Sequence, residues 1–463
     1  VSTYALTAHK IEEEPALMGA FNFAITNSIG ALLVLMGVAL LYGRTGALNL
    51  AQIGATLGDK PADGLVVAAF VLITCGFGVK AALVPFQFWL ADAHAVAAAP
   101  VCVLFSGVMV ELGIYAIAHV YWSIFSGVLH VGEPPMRLVW LGFGLLTAVV
   151  GALMCYSQRH LKRLLAFSTI SHTGMFLIGI ALLTGDALAG TGLYVVGHGL
   201  VKGTLFLCAG VLLNRFASVD ENSLRGRGKI LGTTGVVFVI GGVALCGLPP
   251  FGTYTGKALI EEAAERAGYA WLPALLTVCS ALTGAAVLRA GGKIFLGLGP
   301  RDSERALTPK KEQKETKENY NRAPAVMTGP AMVLLALALV SGIWPGLKDH
   351  ARSAAMRFED RSNYVSVVIK GKTPLLRVAL HPEANSVSSI AYGIGGTLGA
   401  VLLAAAALFP GWLPHKASAE LARWFETLLA PLRSLHSGDV VDYVTWLIAG
   451  AVTAGGLFAW LLH

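Results

Sequence analysis

Residues 64–91 read GLVVAAFVLITCGFGVKAALVPFQFWLA. The run is apolar and long enough to cross a bilayer, for which a helix needs about 20 residues. Two features disturb it. Lys80 lies inside the run, and Pro85 follows five residues later. A proline inside a helix removes a backbone donor and frees a carbonyl, leaving an irregularity that admits water or a polar partner. A lysine near the bilayer centre costs about 2.5–3.5 kcal/mol on insertion scales. The stretch therefore reads as a broken membrane span built around a charge. Two further runs repeat the theme: LYVVGHGLVKGTLFLCAGVLL (193–213) holds Lys202, and VVFVIGGVALCGLPPFGTYTGKALI (236–260) breaks at Pro249-Pro250 before Lys257. The plain alternative is that such lysines snorkel from span ends or sit in static ion pairs.

The rest of the chain has the same character. Its 463 residues are 55% hydrophobic and 13% charged, against about 25% charged in ordinary soluble proteins. About eleven apolar runs recur, near 20–43, 64–89, 97–118, 136–155, 164–183, 189–213, 232–265, 271–296, 325–345, 390–412 and 440–461. They are continuous rather than alternating, which predicts helices and not a barrel. The fold class is an all-α polytopic membrane protein.

The six cysteines fall inside apolar runs without CxxC or histidine spacing, so they read as small buried hydrophobes. No convincing nucleotide-binding loop stands among the glycines, and no cofactor, metal or catalytic site is expected. The net charge of +7 sits mainly in connecting segments and is no nucleic-acid signature. The basic loops 157–163, 214–229 and 301–322 fall on one side of the predicted topology, which the positive-inside rule makes cytoplasmic. The basic segment 347–389 is an exception, long enough for the rule to weaken or to contain a surface helix such as 364–380. Residues 418–435 have amphipathic spacing, suiting either a helix on the membrane surface or a plain connector. Three regions result: a core over 1–297, a charged loop over 298–324, and terminal spans with surface connections over 325–463.

The titratable groups inside the runs are candidates for proton relay. Lys80, flanked by glycine, can act as a switch, because a buried amine's proton affinity depends on its neighbours. Asp92 and His94 at the end of its span either link it to bulk water or serve as interface polarity. Glu111, in the next run, has Lys80 or Lys202 as candidate partners, a static ion pair being the alternative. His198 and Lys202 are four residues apart and share a helix face. The pair suits proton hand-over and poorly suits a metal. His172, with Ser168, Thr169 and Ser171, either extends this line or is a packing residue. Lys257 follows the second break, with Glu261 and Glu262 after it, as at the discontinuous helices of ion-handling transporters.

The segments GVKAALVPFQFWLADAHAVAAAPV, HLKRLLAFSTISHTG, GHGLVKGTLFLCAG and CGLPPFGTYTGKALI, in this order, resemble the antiporter-like subunits. That family is shared by respiratory complex I, membrane-bound energy-converting hydrogenases and Mrp-type sodium/proton antiporters. The resemblance covers residues 1–297 well and the remainder loosely. It implies two inverted five-helix repeats, each with a broken helix, and a central axis of buried lysines and glutamates that carries protons. It places Lys80 at the first broken helix, Lys202 at the centre of the second repeat, His198 one turn before it, and Lys257 after the second break. Glu111 departs from the pattern, since complex I relatives often carry lysine there. The glutamate that partners the Lys80 position would lie upstream of Val1, so the sequence as given would not translocate alone. The resemblance further implies an inner-membrane subunit of a redox-driven complex, complex I-like or hydrogenase-like, surrounded by lipid and other membrane subunits. An Mrp-type antiporter subunit exchanging sodium for protons is the alternative, and a scaffold with static buried charges a third reading.

Overall fold

Each apolar run becomes a helix or a pair of half-helices in the computed structural model, which describes residues 2–9, 14–59, 61–129, 133–300, 325–372, 387–412 and 415–462. After a short helix at Ser2–Thr7, the first span is α1 (Glu14–Thr45). A short helix at Leu50–Leu57 leads to the first broken span, α2 (Gly64–Lys80) and α3 (Phe88–Val96). There follow α4 (Ala99–Phe125), α5 (Glu133–Ser157), α6 (Leu161–Ala181) and α7 (Gly185–Phe216). The second broken span is α8 (Gly232–Leu245) and α9 (Gly252–Arg266), followed by α10 (Leu272–Leu296). After α11 (Ala325–Ile343), α12 (Pro345–Glu359) and α13 (Arg361–Lys370) are too polar to span. The chain closes with α14 (Val387–Leu408), α15 (His415–Ser434) and α16 (Val440–Leu462). Nine helices are long and apolar enough to cross a membrane, and α2 and α8 are shorter apolar helices. Counting each broken pair once gives the expected eleven crossings among the described residues.

The two broken spans are the second and the seventh crossings, so they traverse the membrane in opposite directions, as inverted repeats require. Tertiary packing holds both breaks. The indole Nε1 of Trp89 donates to the Val79 carbonyl at 2.9 Å, and the Val84 amide to Thr147 Oγ1 at 3.0 Å. At the second break Thr253 Oγ1 donates to the Ala244 carbonyl at 2.6 Å. Gly247 there has φ +83°, a conformation that side chains rarely adopt.

The bundle is built around α6. Its most apolar window is wholly buried, whereas those of α1, α11, α14 and α16 are mostly exposed and present apolar surface to lipid or to other chains. Helices approach closely where glycines meet. A Cβ on Gly199 of α7 would lie 3.1 Å from the Gly107 carbonyl of α4. All six cysteines are buried, and none forms a disulfide.

The surface connections clarify two expectations. The basic segment after α11 begins with the amphipathic α12, tied down by Arg352 to Asp186 at 3.0 Å, and continues into α13, tied by Arg361 to Asp59 at 2.9 Å. The helix anticipated over 364–380 is thus present as far as Lys370; residues 373–386 lie outside the described residues, as does the charged run 301–324. The amphipathic stretch 418–435 is helical as α15.

Candidate functional site

The polar side chains of α6 lie at its centre. Serine and threonine survive in an apolar helix because their hydroxyls return to the carbonyl one turn back. Ser168 and Thr169 both donate to the Leu165 carbonyl, at 3.0 and 3.1 Å, and Thr173 to that of Thr169 at 2.9 Å. Lys202 of α7 is fully buried and reaches the same point. Its Nζ donates to the Leu165 carbonyl at 2.6 Å and to the Ser168 hydroxyl. Only neutral acceptors meet this ammonium, with no carboxylate at ion-pair distance among the described residues, so the static ion-pair reading does not describe it.

The Leu165 carbonyl that Lys202 shares with Thr169 marks the near end of a hydrogen-bonded line toward the first broken span. Thr169 Oγ1 lies 2.9 Å from Ser106 Oγ, which lies 3.0 Å from His94 Nε2. Ser106 belongs to a π-turn, Phe105–Met109, inside α4. Such local widenings are frequent at functional sites. His94 is fully buried and stacks on Phe206 with ring centroids 4.7 Å apart. Asp92 instead pairs with Arg163 at 3.1 Å and accepts from the Tyr443 hydroxyl at 2.7 Å, so the two residues belong to different networks.

A second group assembles one turn along α7. His198 Nδ1 faces Glu111 Oε1 at 3.0 Å, and the His198 ring stacks on His172 with centroids 4.9 Å apart. His172 Nδ1 lies 2.7 Å from the Tyr194 hydroxyl and its Nε2 3.3 Å from Thr283 Oγ1. This corrects the expected partners of Glu111. Neither Lys80 nor Lys202 forms an ion pair with it; the Gly107–Gly199 approach brings α4 against α7 and delivers Glu111 to His198.

Lys257 and Glu261 form a buried pair at 3.4 Å on successive turns of α9, and Thr277 Oγ1 lies 3.4 Å from Glu261 Oε1. Gly256, beside Lys257, has no room for a side chain against the Tyr194 backbone, so the second break packs directly on the histidine group. Glu262 points elsewhere and accepts from Ser389 at 2.8 Å. Lys80 is the last residue of α2, half-buried, with no carboxylate at ion-pair distance among the described residues. The negative end of a helix dipole favours a cation at that position.

Several participants escaped the sequence reading. Tyr194 stands on the His198–Lys202 stripe of α7, four residues before His198, and could have been read there. Ser106 gave no signal. Lys162, counted with a basic loop, is buried and donates to the Ala95 and Ala97 carbonyls at 3.1 Å each, closing the end of α3. Glu221 is buried between Arg289 at 3.3 Å and Lys293 at 3.1 Å. Among the described residues no group of three or more His, Cys, Asp or Glu side chains is placed to hold a metal ion.

Titratable and hydroxyl groups threaded through a helix bundle with two oppositely directed broken spans define a polytopic membrane protein of the ion-translocating type. The chain belongs to the NADH:quinone oxidoreductase/Mrp antiporter transmembrane family, whose model matches residues 1–283. It is 26% identical over 357 residues to a Na(+)/H(+) antiporter subunit of Bacillus subtilis (strain 168), covering 76% of this chain and 68% of that protein. It is 30% identical over 345 residues to an NADH-quinone oxidoreductase subunit of Desulforudis audaxviator (strain MP104C), covering 74% and 68%. A chain in the solved Mrp complex from Dietzia sp. DQ12-45-1b superposes with a TM-score of 0.67 at 26% identity, covering 77% of this chain and 71% of that one.

Proposed function

We propose that this chain is the proton-translocating membrane subunit of a redox-driven, multi-subunit complex in the cytoplasmic membrane, of the NADH:quinone oxidoreductase or membrane-bound hydrogenase kind. Lys202 is the central switch. It exchanges a proton with the His94–Ser106–Thr169 line on one side and with the Glu111–His198–His172 group on the other. The Lys257–Glu261 pair serves the aqueous end of the second half. The observation that carries this reading is the enclosure of Lys202, whose ammonium meets, among the described residues, only a carbonyl and a hydroxyl while standing one helical turn from a carboxylate–imidazole pair. Redox chemistry belongs to partner subunits, and the likeness to an NADH-quinone oxidoreductase subunit supports that assignment.

The likeness to a sodium/proton antiporter subunit and to the Mrp complex supports a second reading, in which the same relay drives sodium exchange. Proton movement by the assembled complex in proteoliposomes tests both. Lys202→Ala should abolish coupled transfer while the complex still assembles, since a charge is removed and none is stranded. Lys202→Arg should fail as well, because guanidinium does not release its proton at working pH. Transfer at the unsubstituted rate in a well-assembled Lys202→Ala complex would end the relay reading. Acceleration by a sodium gradient would favour the antiporter.

A further inference from the structure

A cavity of about 390 Å³ opens between α4, α7 and α12. Its roof is the apolar face of α12, where Leu347, Ala351 and Phe358 recur at helical spacing. The polar face of the same helix is anchored through Arg352, whose partner Asp186 also binds Arg266 at 3.0 Å. The mouth lies on the apolar outer surface, flanked by the half-exposed Tyr115 and Val196. Among the described residues the lining is almost wholly apolar, and one of them is charged: Glu111. That carboxylate is 93% buried and holds His198 through Oε1.

An apolar chamber with a single carboxylate constrains its occupant. A neutral hydrocarbon offers nothing to Oε2, the oxygen that His198 does not hold, and an anion is repelled by the carboxylate. A cationic head on an apolar body satisfies both parts, because the body replaces lipid contacts and the head makes a charge-assisted hydrogen bond in a low-dielectric setting. We propose that the cavity between α4, α7 and α12 binds an amphiphile with a primary ammonium head and an alkyl body, the head pairing with Glu111. Occupancy competes with His198 for the carboxylate. If the relay proposed above runs through this pair, such a ligand inhibits transfer, but binding itself does not depend on that reading.

Photolabelling of the assembled complex in nanodiscs tests the site directly. The probes are a dodecylamine carrying a diazirine on its chain and the matching dodecanol, with labelled peptides mapped by mass spectrometry. The amine should label the α4 and α7 walls, near Ile114 and Leu188, roughly tenfold more than the alcohol, the preference expected of one charged hydrogen bond. Glu111→Gln should reduce the amine to the level of the alcohol. Gly192 offers an independent variant, because it lines the cavity and a Cβ there meets nothing within 4 Å. Gly192→Leu should bring both probes to background. Equal labelling by amine and alcohol in the unsubstituted complex would overturn the proposal in favour of a cavity filled by any lipid tail. Undiminished amine labelling in Gly192→Leu would overturn it too. Labelling reports binding whether or not protons move, so its failure and that of the relay reading are separate.

Discussion

The two broken spans hold their lysines on opposite sides of the break. In the first, Lys80 ends the half-helix α2, ahead of Pro85, and meets the carbonyl end of its own helix. In the second, Lys257 lies beyond Pro249-Pro250 inside α9, and Glu261 one turn later supplies a carboxylate at 3.4 Å. The second break therefore contains its own counter-charge, while the first contains an ammonium and a helix end. The same proline chemistry yields a closed ion pair in one half and an open, half-buried cation in the other. A self-contained pair resists hydration, and an open cation responds to whatever partner approaches it.

The largest expected effect tests that asymmetry. Removing one partner of a buried pair strands the other, at a cost of about 3–5 kcal/mol. Lys257→Ala and Glu261→Ala should each lower the thermal stability of the purified complex by this order, and Lys257→Met with Glu261→Leu should recover much of the loss. Lys80→Met strands nothing and should stay within about 1 kcal/mol of the unsubstituted protein. Equal losses in the two halves, read by thermal unfolding in one lipid environment, would erase the distinction.

A smaller effect concerns the partner of Glu111. A double-mutant cycle of Glu111→Gln with His198→Ala should show a coupling of about 0.5–3 kcal/mol, as expected for residues in contact. The cycle of Glu111→Gln with Lys80→Met should be additive to about 0.5 kcal/mol. Coupling to Lys80 instead would reconnect Glu111 to the first break and undo the separation.

How much of this was legible follows from what each residue costs to bury. Lys80, Lys202 and Lys257 stood out because a charge in an apolar run needs a reason. The eleven crossings were readable from length and hydropathy alone. The connections between residues were less so. Chain order and antiparallel neighbours offer Glu111 either Lys80 or Lys202, yet the glycine contact that sets it against His198 on α7 depends on helix rotation, which chain order does not set. The line from His94 toward Lys202 was only partly legible. Thr169 stands among the hydroxyls that the sequence sets beside His172, but Ser106 is an ordinary residue in an apolar helix, and nothing in FSGVM announces the π-turn that aims Ser106 inward. Lys162 was hidden by its neighbours, since one buried lysine in a basic loop looks like the rest.

The smallest effect returns to the first break and to how its leading half-helix is held. The start of α2 is capped by Asp63, whose carboxylate accepts from the Val66 amide at 2.9 Å and pairs with Arg44 at 3.0 Å, whereas α8, preceded by Leu231, has no side-chain cap. Those contacts, the backbone hydrogen bond first, lower the Asp63 pKa from its ordinary 3.8, against a partial opposing effect of desolvation. A carboxyl with a depressed folded-state pKa contributes stability that is present above its unfolded value and lost as the pH falls through the folded one. Asp63→Ala should therefore cost about 1 kcal/mol near neutral pH, the usual worth of an N-cap. Hydrogen exchange in the first turn of α2 should rise accordingly, with α8 unchanged. Below the depressed pKa the variant and the unsubstituted protein should exchange alike. A difference that persists undiminished in acid would mean that the protonated side chain caps as well as the carboxylate does. No difference near neutral pH would mean that the start of α2 is held by its packing against α1, and the two leading half-helices would then be anchored in the same way.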